Sequence, residues 1–144
     1  MKKLFLFILS LALLSVAGCT NSKAGGNVDI DLTALSNTMM YAEVNNIMTS
    51  PRDYVGKSIK MSGPYNATYY EQTAEYYHFV IIRDASACCA SGLEFVWNGK
   101  HSYPKDYPKE GEMIEVTGVF GSYEELGQTY HCLLADEVVL LNQE

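Results

Sequence analysis

A mainly β domain, closed into a small barrel behind one N-terminal helix, is the fold this sequence predicts. Three observations carry it. Beyond residue 58 the apolar residues alternate at period two in short runs separated by turn residues. Before residue 50 they fall at helical spacing instead. And one strand pattern occurs twice, each time with a glycine inside it.

The helix comes first. From Met39 to Met48, the residues Met40, Val44, Ile47 and Met48 share one helical face. Ser36, Asn37 or Thr38 can cap its start. Ser50-Pro51 stops it, and Pro51 suits the first position of another short turn. Residues 28–38 carry no clear pattern.

Five strand runs follow. Ile59, Met61, Gly63 and Tyr65 alternate with Lys60 and Ser62; Tyr76 to Ile82 is apolar on both faces apart from His78; Leu93 to Trp97 is short. Ile114, Val116 and Phe120 form the fourth run, and Tyr130 to Leu134 with Val138 to Leu141 ends the chain. Ser91-Gly92, Asn98-Gly99, Tyr103-Pro104, Tyr107-Pro108, Glu110-Gly111 and Leu126-Gly127 read as turns. Gly56-Lys57-Ser58-Ile59-Lys60-Met61-Ser62-Gly63 matches Gly111-Glu112-Met113-Ile114-Glu115-Val116-Thr117-Gly118 at an offset of 55. A glycine within a strand marks a bulge or sharp bend. Two bent strands among five point to an OB-fold-like five-stranded barrel rather than a sandwich, which needs about seven strands.

Ahead of this domain stands a leader. Met1-Lys2-Lys3 is basic, Leu4 to Leu14 is apolar but for Ser10, and Val16-Ala17-Gly18-Cys19 places a cysteine after small residues. The run is too short for a spanning helix. The order resembles the lipobox of bacterial lipoproteins, which implies cleavage before Cys19 and lipidation of its thiol. Two or more acyl chains, palmitate among them, would give stable membrane attachment. The expected division is a signal peptide over 1–18, a lipidated cysteine and flexible tether over 19–35, and the helix with its barrel over 36–144. Localisation is then extracytoplasmic, on the cell membrane.

Cleavage would remove Lys2 and Lys3, leaving 8 basic against 17 acidic residues in the remaining 126. So acidic a domain repels phosphate, so nucleic acid is not an expected partner. Cations, peptides and neutral sugars are compatible with it.

Beyond Cys19 lie Cys88, Cys89 and Cys132, with His131 beside the last. In an OB-fold the third and fifth strands run parallel as neighbours, which would bring these groups to one rim. Three readings stay open. Cys132 bridges Cys88 or Cys89 as a staple worth about 2–4 kcal/mol. Or Cys88, Cys89, Cys132 and His131 ligate zinc or copper(I), although strand neighbours point to opposite faces. Or the cysteines pack as small apolar groups. A redox-active thiol is a weaker fourth.

Tyr54-Val55-Gly56-Lys57, then Cys88-Cys89-Ala90-Ser91-Gly92-Leu93-Glu94-Phe95, then Tyr107-Pro108 and Gly111 resemble small uncharacterised lipoproteins of Gram-positive anaerobes. They are also similar to the soluble C-terminal domain of uncharacterised membrane proteins found beside permeases. In that second group an aspartate stands where this chain has Gly92. The resemblance covers roughly residues 40–140 and implies an OB-like domain linked to transport.

His78, within a strand, reads as a satisfied or exposed histidine, and His101 as solvated in a polar turn. The tyrosines, Tyr65, Tyr69, Tyr70, Tyr76, Tyr77, Tyr103, Tyr107, Tyr123 and Tyr130 among them, suit strands and offer rigid contact area for a ligand. Glu124-Glu125 and Asp136-Glu137 read as solvated turn charges. No Gly-x-Ser-x-Gly, His-Glu-x-x-His or phosphate loop occurs, so no catalytic residue is assigned. The expected function is a membrane-anchored, non-enzymatic binding module for a partner protein or small ligand. The alternative is a zinc- or copper-handling lipoprotein of a transport system, built on the Cys88/Cys89/Cys132 cluster.

Overall fold

In the computed structural model, residues 28–84, 86 and 89–142 are described. A two-residue strand β1 (Ile30–Asp31) and a 3-10 turn lead into helix α1 (Asn37–Thr49). Five long strands follow: β2 (Ser58–Tyr70), β3 (Glu75–Arg83), β4 (Ala90–Trp97), β5 (Met113–Glu125) and β6 (Gln128–Leu140). The sheet order is β1-β2-β3-β4-β6-β5, and β5 returns to pair with β2, which closes a five-stranded barrel. The OB-fold-like barrel with one helix expected from the strand pattern is the observed fold.

The repeated glycine-framed segments explain the closure. They pair with each other, antiparallel, with Met61 opposite Val116, Gly63 opposite Ile114 and Gly118 opposite Ile59. Their surroundings repeat at the same offset. Gly56 N donates to Phe120 O and Phe120 N to Lys57 O, while Gly111 N donates to Tyr65 O and Tyr65 N to Glu112 O. Gly56 and Gly111 both hold positive φ, 88° and 85°. The internal glycines sit at the bends. A Cβ on Gly63 would collide with the carbonyl oxygen of Ile81, and one on Gly118 with that of Leu134. β2 thereby leaves β5 near Pro64 and continues as the partner of β3.

Helix α1 is capped by Ser36, whose Oγ accepts from Met39 N at 3.4 Å, and it buries Met40, Val44 and Ile47. Met48, expected on that face, is instead 46% exposed, because it lies on the last turn where the helix runs past the sheet. Pro51 opens the expected short turn (Pro51–Asp53). The fold also starts earlier than residue 36: Leu32 is fully buried and Ile30 pairs with Ile59. The last two runs are one strand. A bulge between Thr117 and Gly118 leaves Asp136 between the partners of those residues, so β6 passes through the charges expected to form a turn. The core, with Ile59, Met61, Val80, Leu93, Phe95, Ile114, Val116, Phe120 and Leu133, fills the barrel and the underside of α1.

Candidate functional site

Among the described residues, Cys89 and Cys132 are not brought to one rim. Strands β4 and β6 do run parallel side by side, as expected, but Phe95 stands opposite Leu133. That register sets Cys132 beside Glu94, five residues beyond Cys89, or about 16 Å of strand. A disulfide needs Cα atoms within about 7 Å, so Cys89 and Cys132 are not brought together. Cys89 is exposed and closes the β3–β4 turn, its carbonyl accepting from Asp84 N and its own N donating to Asp84 Oδ1. Cys132 is fully buried on the outer side of the sheet, between Gly121 and Glu94. Burial first, and the charge of Glu94 second, push its thiol up to about 11. His131 faces the other way and stacks on Phe120 at 5.9 Å. Cys88 and Cys19 lie outside the described residues, as does the leader. Among the described residues no three His, Cys, Asp or Glu side chains are placed to hold a metal ion.

What the fold does assemble is a groove on the outer face of β3 and β4, walled by the loop between β4 and β5. Its larger part measures about 910 Å³. Alternation along β3 puts Tyr77 outward and His78 inward at the barrel mouth. The 98–112 loop folds back over that mouth. Tyr107 stacks on His78 at 4.0 Å, and Tyr103 packs against Tyr76 at 4.4 Å. Trp97 continues the row, edge-on to Tyr107 and stacked face to face on His101 at 3.8 Å, with the rings 8° apart. At the other end Tyr69 packs on Tyr76 at 5.1 Å, and both rings are about half exposed. His101, expected in solvent, is thus part of the wall. The signal that could have found it is the aromatic spacing Trp97, His101, Tyr103, Tyr107 within one loop.

His78 is the pivot of the wall. Its Nδ1 lies 2.7 Å from the Tyr65 hydroxyl, and only 9% of it is exposed. Burial lowers its pKa to about 4, so the ring is neutral at neutral pH. Burial likewise holds the Tyr65 hydroxyl protonated.

Across the groove runs a pair of tyrosine–carboxylate bridges. Tyr123 reaches from β5 over β6 and donates to Glu94 of β4, 2.9 Å from Oε1 and 3.1 Å from Oε2. Tyr77 donates to Glu125 Oε2 at 2.7 Å and lies 2.8 Å from Thr73 Oγ1. Glu125, expected as a solvated turn charge, therefore ties the β5–β6 hairpin to the β2–β3 hairpin. Burial raises the Glu94 pKa; the Tyr123 hydroxyl opposes that shift and Glu125 adds to it. Beyond the bridges lies a second cavity of about 530 Å³, bounded by Met48, Tyr70, Phe79, Tyr130 and His131.

No family model matches the chain, and no curated protein does. Solved structures match in fold. The N-terminal domain of PriB protein from Thermoanaerobacter tencongensis shares 12% identity over 60% of this chain and 97% of its own, at a TM-score of 0.41. The mitochondrial single-stranded DNA binding protein Rim1 from S. cerevisiae shares 14% over 62% and 97%, also at 0.41. Both are small OB-fold barrels, and neither name is that of an enzyme. The names of these two proteins stand against the expected extracytoplasmic, lipid-anchored binding module for a protein or small ligand, while the likeness itself extends to the fold alone. Those names stand likewise against the metal-handling alternative and the exclusion of nucleic acid. Net charge is an average over the surface, and the 98–112 loop that walls the groove is itself neutral, with Lys100, Lys105 and Lys109 against Asp106, Glu110 and Glu112. The metal cluster required a register that the sheet does not adopt. No helix of the described residues is long and apolar enough to cross a membrane.

Proposed function

We propose that the groove binds single-stranded nucleic acid, chiefly by stacking bases on its aromatic wall. The observation that carries this reading is the row Tyr69, Tyr76, Tyr103, Tyr107, Trp97 and His101, six rings from β2, β3, β4 and the 98–112 loop brought into one continuous surface beside an open groove. Every base has a π-face, so such a row takes unstacked bases without demanding a sequence. Each base stacked this way contributes about 1–3 kcal/mol. A duplex keeps its bases stacked on one another and offers none. The three loop lysines are matched by Asp106, Glu110 and Glu112 in the same loop, so phosphate attraction contributes little.

Fluorescence anisotropy with labelled oligonucleotides of about 12 nucleotides tests this, a length within the range of one OB-fold. Binding to single strands and not to the matching duplex is expected. The slope of log affinity against log salt should be no steeper than about −2, since about 0.7 counterions are released per neutralised phosphate on single strands. Trp97→Ala and Tyr76→Ala should each weaken binding about fivefold or more. No anisotropy change up to about 100 μM protein, the weak end of non-specific binding, would refute the reading.

A further inference from the structure

The two cavities are halves of one groove. Both are bounded by the same four side chains, Tyr77, Glu94, Tyr123 and Glu125. A polymer lying in both halves must pass over these four. Their chemistry there is one-sided. An ionised carboxylate only accepts hydrogen bonds. Each tyrosine has one proton, and each spends it on a neighbour: Tyr123 on Glu94 and Tyr77 on Glu125. What remains facing the groove is a set of unused lone pairs. Among the described residues, no lysine or arginine bounds either half.

We infer that this pinch selects bases carrying an exocyclic amino group, with Glu94 and Glu125 as the specificity-determining acceptors. The inference rests on the single-strand reading above. Cytosine presents its N4 amino group as a donor, and a carboxylate is the side chain that accepts from it. Thymine presents O4, an acceptor, at the same position. Facing Glu94 or Glu125 it would leave two acceptors opposed and its own oxygen unpaired. Phosphate is excluded from the pinch by like charge. The bases therefore point inward, and the backbone runs outside the pinch. Tyr123 and Tyr77 act as positioning residues that hold each carboxylate in place.

Cytosine and thymine stack similarly, so comparing them isolates the carboxylates from the aromatic wall. With the full-length protein, anisotropy titrations of labelled oligo(dC) and oligo(dT) should show dC bound about tenfold more tightly, the middle of the range for one base-edge pairing. Glu94→Gln keeps an acceptor for Tyr123 but adds an amino group that can donate to thymine O4. It should bind dT more tightly than the parent does, narrowing the ratio; Glu125→Gln should narrow it as well. Equal affinity for dC and dT overturns this inference and leaves single-strand binding standing. An unchanged ratio in both variants overturns it too. Binding of neither oligonucleotide removes the single-strand reading and this inference with it.

Discussion

His78 makes the stability of the domain depend on pH in a window that can be calculated. In the fold its pKa is lowered from 6.5 to about 4 by burial, against the ordinary value when the chain is unfolded. Between those values the unfolded chain binds a proton that the folded chain refuses. Stability therefore rises with pH across the window, is complete above about pH 6.5, and is lost progressively down to about pH 4. A shift of roughly 2.5 units at 1.36 kcal/mol each sets the loss at about 3 kcal/mol. Three other groups act differently. Asp29 and Asp31 have lowered pKa values, so their contributions fade below the ordinary carboxylate range, outside most of this window. Glu94 has a raised pKa, so its burial penalty is relieved as pH falls, which opposes the His78 effect. The comparison must therefore be with a variant. His78→Gln keeps a polar partner for Tyr65 and cannot titrate. Urea unfolding at pH 7, 5.5 and 4.5, followed by the fluorescence of the single tryptophan, Trp97, gives both stabilities. The parent should lose about 2.4 kcal/mol more than the variant between pH 7 and 4.5. Equal pH slopes for the two proteins, or a His78 imidazole resonance that titrates near 6.5, would refute the burial account.

Gly118→Ala drives a methyl group into the backbone carbonyl of Leu134 and should cost on the order of 3 kcal/mol, read as a lowered thermal midpoint. Gly127→Ala, at an open hairpin tip with nothing within 4 Å but a φ of 76°, should cost only about 1 kcal/mol. Cys132, buried and with its thiol pushed up to about 11, should react with a thiol reagent at neutral pH only as fast as the protein unfolds. Reaction at the rate of an exposed thiol would show that its cover of Glu94 and Tyr123 opens. Tyr123→Phe removes the hydroxyl that holds the Glu94 pKa down, so carboxylate NMR should find Glu94 titrating at still higher pH. A lower value would reverse the assigned sign.

Much of the barrel was legible because its causes are local. The period-two runs place the strands, Ser36 and Ser50-Pro51 bound the helix, and the paired glycines at 63 and 118 mark the bends that let a sheet close. The groove was not legible, because its causes are matters of register. Tyr123 and Glu94 are 29 residues apart, and Tyr77 and Glu125 are 48 apart. Nothing in either neighbourhood says that their side chains meet. The meeting of Cys89 with Cys132 failed in the same way. The neighbouring of β4 and β6 was inferred correctly, but the stagger between them, Phe95 against Leu133, moves Cys132 away from Cys89. A single bulged residue, Asp136, likewise turned an expected turn into the middle of a strand. Composition misled at His101, where a polar turn sequence hides a ring stacked on Trp97.

Net charge and ligand class are reconciled by where each term acts. Phosphate attraction is a long-range sum, and a chain with 17 acidic residues and 10 basic ones has little of it to offer. Stacking acts only at contact and ignores the rest of the surface, so a ring row can hold bases on a protein whose overall field repels their backbone. The acidity then has a local use. Glu94 and Glu125 keep phosphates out of the pinch and leave it to base edges, while the lysines stand outside it on the 98–112 loop. A strongly basic groove would bind more tightly and discriminate less, because phosphate contacts carry no sequence information. Weak attraction at the backbone and one-sided acceptors at the bases belong to the same design, and the dC against dT ratio measures the second independently of the first.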